Sequence, residues 1–252
     1  MYKIEMDEMS PQFYGLWRAA LDHLNRQVQG GLETWLRCHS APPFLDHLSF
    51  RLGNQNFFVR VHDADGHVEG PGRMRGLKHV AKECGGHACI LPMRRTGLSG
   101  AWQPTRPGWG LVDASTGNTV DPFTLVTDER IPMTPWEIHS MGMQVVVQHL
   151  EQEGFEVTMY QDDPNIDPTL WFQGKHDQPA WVVVRTVTYP ANRAERPSNW
   201  DKLAENLLPV ARIGHFASVA LSSADQPFEK PDEDPVPLWR GHGMYARFEG
   251  LE

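Results

Sequence analysis

The sequence predicts an α+β fold: an N-terminal helix plus antiparallel hairpins, followed by an αβββαβ mixed-sheet core. Three observations predict it. Two capped, amphipathic segments open the two halves of the chain, at Ser10-Pro11 and at Thr134-Pro135. Short alternating apolar runs separated by turn residues fill the first half. In the second half the periodicity runs helix, three strands, helix, strand. The boundary that follows divides the chain into an α+β subdomain, 1–133, and an α/β subdomain, 134–252.

Taken in order, Ser10 suits an N-cap, Pro11 the first helical position, and Phe13, Leu16, Trp17, Ala20, Leu21, Leu24 and Val28 fall on one stripe that Gly30-Gly31 stops. Leu48 to Leu52 and Phe57 to Val61 alternate about Gly53-Asn54-Gln55, a hairpin pattern closed by Asp63-Ala64-Asp65-Gly66. A short helix over 74–83, a strand over 88–91 and a second hairpin, 110–113 with 119–121, complete this half. Thr134 and Glu137 form a capping box for a helix that reaches about Glu153. Strands follow at 155–160, 169–172 and 181–187, a helix capped at Pro197-Ser198-Asn199 through Leu207, a strand at 216–221, an acidic Pro-rich arm over 224–237 and a last strand at 244–248. No internal repeat and no heptad is visible.

Composition excludes several classes. With 40% apolar and 22% charged residues the chain is neither fibrous nor wholly disordered. No window approaches the ~20 apolar residues of a membrane span. Met1 to Glu8 is acidic where a signal peptide would be basic and then greasy, and Cys38, Cys84 and Cys89 are an odd number, so a bacterial-type cytoplasm with reduced thiols is expected. Charge separates the halves: 14 basic and 14 acidic side chains in 1–133, but 9 and 18 in 134–252, which holds all of the net −9.

Asp167 stands just before the strand 169–172, and the next strand reads Val183-Val184-Arg185. With the helix, three-strand, helix, strand order of 134–222, these residues resemble the core of the restriction-endonuclease-like superfamily, PD-(D/E)XK. That resemblance implies an Asp at the start of the second strand and a Glu-x-Lys on the third, holding Mg²⁺ or Mn²⁺ and a water for phosphodiester hydrolysis. Asp167 takes the place of the Asp and is the one metal ligand implied. On the third strand the Glu position is Val183 and the Lys position is Arg185, which keeps its proton. The triplet Gln173-Gly174-Lys175 has the same spacing but reads as a turn. On either alignment the metal cage is degraded.

Two further clusters carry chemistry. Cys84, His87 and Cys89 combine thiols and imidazole without a fourth zinc ligand; the same residues read as a helix end followed by a strand, or as a thiol nucleophile with His79 or His87 as base. The segment 92–109 brings Arg94, Arg95, Trp102, Arg106 and Trp109 into one acid-free connection, suited to an anionic ligand or to a partner's acidic surface, or to a solvated loop.

The expected function is therefore a non-catalytic cytoplasmic interaction protein on a nuclease-like scaffold, without cofactor, whose acidic half binds a basic protein partner. Twice as many acids as bases in that half disfavour nucleic acid. The alternative is a divergent metal-dependent phosphodiesterase using Asp167 with Glu156, Gln173, Lys175 or Arg185 and Mg²⁺ or Mn²⁺.

Overall fold

The computed structural model describes residues 10–32, 34–37, 47–97, 100–161, 163–174, 178–228 and 234–252. They form a mixed α+β protein with four α-helices and two mixed sheets. The chain divides into two compact units, 1–130 and 131–252. Residues 131–133 belong with the second because Arg240 N donates to Ile131 O and Met133 N to Leu238 O. Among the described residues no helix is long and apolar enough to cross a membrane.

In the first unit, helix α1 (Pro11–Asn25) starts where Ser10 Oγ accepts from Phe13 N at 3.2 Å. Its stripe of Phe13, Leu16, Trp17, Ala20 and Leu24 is buried against Leu48, Phe50, Phe57, Val59, Val61, Leu91 and Met93 of the sheet. That sheet runs β1 (Thr34–Arg37), β2 (Leu48–Leu52), β3 (Gln55–Asp63), β4 (His87–Thr96) and β5 (Ala101–Pro104), with β6 (Val112–Asp113) also paired to β4. Gly53, at φ +56°, makes the tight β2–β3 turn, and Asn54 pins it by donating to Thr127 Oγ1 and Glu129 O, both at 2.8 Å.

The sheet is not antiparallel throughout, as the sequence reading has it. Helix α2 (Met74–Glu83) carries the chain across, so β4 lies parallel to β3. A second difference concerns 92–109, which is not a long connection: β4 continues to Thr96 and β5 folds back onto it, Arg95 opposite Trp102.

In the second unit, α3 (Pro135–Gln152) has its capping box formed, Glu137 N donating to Thr134 Oγ1 at 3.3 Å and Thr134 N to Glu137 Oε2 at 2.8 Å. Strands β7 (Glu156–Tyr160), β8 (Leu170–Gln173) and β9 (Pro179–Thr188) are antiparallel in sequence order. Helix α4 (Trp200–Leu207) crosses over to β10 (Ile213–Ser223), parallel to β9, and β11 (Met244–Phe248) closes the far edge. One face of β9 packs Trp181 and Val183 with Phe216 against Trp200, Leu203 and Leu207 of the α4 segment. The other face meets α3 so closely that a Cβ on Gly142 would collide with Thr186. The two sheets share one strand order and one parallel pair each, a repeat that the sequence does not display.

Candidate functional site

The residues that the nuclease resemblance singles out are only partly brought together. Asp167 precedes β8, joined by a cis peptide to Pro168, and Arg185 lies near the end of β9. Their side chains meet: Arg185 Nη1 donates to Asp167 Oδ1 at 2.9 Å and Nη2 to Oδ2 at 2.6 Å. Both groups are largely sheltered, the carboxylate 13% exposed and the guanidinium 28%. This fork-to-fork geometry occupies both carboxylate oxygens with a cation that cannot lose its proton.

Glu156 and Gln173 do not join them. They oppose each other at the far end of the β7–β8 ladder, Gln173 lying three residues, about 10 Å, beyond Leu170. Lys175 lies outside the described residues. Val183 is fully buried beside Trp181 and Phe216 and supplies no oxygen. A divalent metal of the Mg²⁺ or Mn²⁺ type needs several hard oxygen ligands. Here the single carboxylate is already spent on arginine, so the residues present do not fit such an ion.

A second ion pair in the same unit escaped the sequence reading. Arg240 Nε donates to Glu137 Oε1 at 2.8 Å and Nη2 to Oε2 at 2.9 Å, with both side chains under 10% exposed. Glu137 was legible only as the third residue of a capping box. Its partner comes 103 residues later, and nothing local announces it.

The Arg/Trp set of the first unit also separates. Arg94 pairs with Asp65 at 2.9 Å, and Arg95 stacks over Trp102 at 4.9 Å. Arg106 donates to Thr119 Oγ1 at 2.9 Å, away from that pair. Trp109 is a correction: it is 5% exposed, lies flat on Phe50 at 5.6 Å and belongs to the α1 core, so it offers no surface to a partner.

Arg95 and Trp102 line a cleft of about 690 Å³ with Asp63, Asp65, His67 and Glu69. The donor atoms of Asp63, Asp65 and His67 lie within 4.8 Å of one another. The sequence marked Asp63 and Asp65 only as turn residues, and the structure explains why. Asp63 is buried and accepts from the N–H groups of Asp65, His67 and Val68 at 2.9–3.0 Å, ordering the loop, while Asp65 is held by Arg94.

Cys84, His87 and Cys89 take the places of a helix end and the strand that follows it. Cys84 is the buried C-cap of α2, and Cys89 is buried under α1. Burial, and secondarily the nearby Asp113 carboxylate, push the Cys89 thiol up to about 12, the opposite of what a nucleophile needs. His87 Nε2 is 3.0 Å from Gln55 Oε1, and its ring lies on Phe57 at 5.0 Å. Among the described residues Cys84, His87 and Cys89 do not converge as a metal-binding group.

Comparison with known proteins adds one likeness: residues 136–252 match a family described as a domain of unknown function, DUF8840. No curated protein and no solved structure matches the chain. The matched segment covers nearly all of the unit that holds both arginine–carboxylate pairs.

Proposed function

We propose that the second unit is a non-catalytic interaction module on a nuclease-like scaffold and that it binds a basic protein partner. The observation behind this reading is the Asp167–Arg185 pair. Where the resemblance calls for a carboxylate open to a metal, this chain places a carboxylate closed by arginine. The helix, three antiparallel strands, crossover helix and parallel strand support the scaffold, while buried Val183 and distant Gln173 argue against a working cage. The unit's 18 acidic against 9 basic side chains supply a field that steers a cationic surface towards it and repels phosphates.

Millimolar Mn²⁺ and Mg²⁺ added to the full-length wild type and to Asp167→Ala provide the test. Neither ion is expected to move the melting temperature of either protein. A metal at 100 times its dissociation constant adds about 2.7 kcal/mol, roughly 5–10 °C for a chain of this size. Such a rise in the wild type, lost in Asp167→Ala, would hand the site to the phosphodiesterase reading.

A further inference from the structure

The two sheets agree strand by strand. In the first, Thr34, Trp35 and Arg37 oppose Arg51, Phe50 and Ser49; in the second, Glu156, Val157 and Met159 oppose Gln173, Phe172 and Trp171, with the register irregularity at the same step. Leu48 opposes Val59 as Leu170 opposes Val182. Phe57 meets His87 across the parallel pair as Ala180 meets Ile213. Met93 meets Pro104 as Val219 meets Phe248. One frame therefore holds across all five strands, with a Ser/Thr-Pro-capped helix before each sheet and a crossover helix between the third and fourth strands. In that frame His62 stands where Arg185 stands, and Arg60 where Val183 stands.

The corresponding faces differ in charge. Phe57, Val59 and Val61 pack under α1, so Phe58, Arg60 and His62 alternate onto the face that α2 covers. From Glu69 to Cys84, the stretch that corresponds to 192–207, the crossover segment carries Arg73, Arg75, Lys78 and Lys82, all exposed, against two acids at its ends, Glu69 and Glu83. Of the acids around it, Glu83 lies beside His79, and Asp113 is within range of Lys78. Arg60, the only charged side chain of this face on β3, donates to Gly70 O at 3.4 Å. In the second unit the matching segment, 192–207, balances three bases with three acids. There Arg193 pairs with Glu252 and Arg196 lies on Trp200. The first unit is neutral as a whole, 14 against 14, so its own charge does not oppose a cationic face.

We propose that the chain is a tandem of two copies of one αβββαββ unit, and that the crossover-helix face of the first copy, carrying Arg60 and the cations of α2, binds the phosphate backbone of a nucleic acid. The four cations are strung along a ten-residue helix and its lead-in, a spread of about 15 Å. That spread suits a repeating polyanion and exceeds what a single small anion spans. The inference is independent of the interaction reading for the second unit, which concerns different residues and a different probe.

Fluorescence anisotropy of a labelled 20-base-pair duplex with the full-length protein tests it. Binding is expected at 50 mM salt, falling about 100-fold by 200 mM, as release of counterions from roughly four phosphates requires. The exposed double variant Arg75→Glu/Lys78→Glu should abolish binding, and Arg60→Gln should weaken it several-fold. Lys202→Glu, on α4, should leave it unchanged. Absence of binding at 50 mM salt, binding that survives the double reversal, or competition by equimolar inorganic pyrophosphate as strong as by unlabelled duplex would each overturn the proposal.

Discussion

Arg185 and Arg240 do the same thing in one unit, each closing a carboxylate with two charge-assisted hydrogen bonds, yet their energetic standing differs. Arg240 and Glu137 are out of water, so their attraction is set against desolvation of both ions. Asp167 and Arg185 keep partial contact with solvent, which screens the pair. Cys89 shows burial acting on a single group. Its thiol titrates near 12 when folded and near 9 when exposed, so the unfolded chain releases a proton first as alkali is added. The resulting stability is intact below about pH 9 and is lost as pH rises from 9 towards 12. Urea midpoints of wild type and Cys89→Ala, followed from pH 8 to 11, should therefore converge with rising pH. Parallel curves would mean that the thiol ionises freely in the folded protein.

At the scale of elements, α3 sits against β9 through an absence of side chain. A Cβ at Gly142 would run into Thr186, whose buried hydroxyl has no hydrogen-bond partner among the described residues. Gly142→Ala should cost about 1–3 kcal/mol by overpacking, despite alanine's better helix propensity. Thr186→Ala removes the obstacle together with the orphaned hydroxyl, so the double variant should recover most of that loss. Additive effects in a chemical-denaturation cycle would show that the helix and strand do not meet there. Helix starts were legible because capping is local: Ser10 and Thr134 lie within three residues of the N–H groups that they accept from. The β3–β4 pairing was not, because an apolar run pairs equally well in either direction and the choice depends on where α2 delivers the chain.

The whole molecule has two separately cored units, and each should unfold as its own cooperative step. Calorimetry is expected to resolve two transitions. Glu137→Ala removes the carboxylate that accepts two charge-assisted hydrogen bonds from buried Arg240, a cost of about 1.5–3 kcal/mol, and should lower only the second unit's transition. A single transition that moves bodily in the variant would show the units to be one folding body. By itself the sequence determined the caps at Ser10 and Thr134, though not the expected one at Asn199, which makes no side-chain cap bond, the hairpin turn at Gly53-Asn54, the succession of helices and strands along the second unit and the concentration of acid there, since each depends on residues near one another or on counting. It also brought Asp167 and Arg185 under scrutiny, one at a strand's start and one on the next strand. Only the tertiary structure decided that these two neutralise each other, that Trp109 is core, that Glu137 finds Arg240, and that both sheets follow one register. Pairing across a sheet is set by backbone hydrogen bonds and by which faces must be buried, and both conditions are met by many sequences, so copies whose side chains have drifted apart keep the same frame.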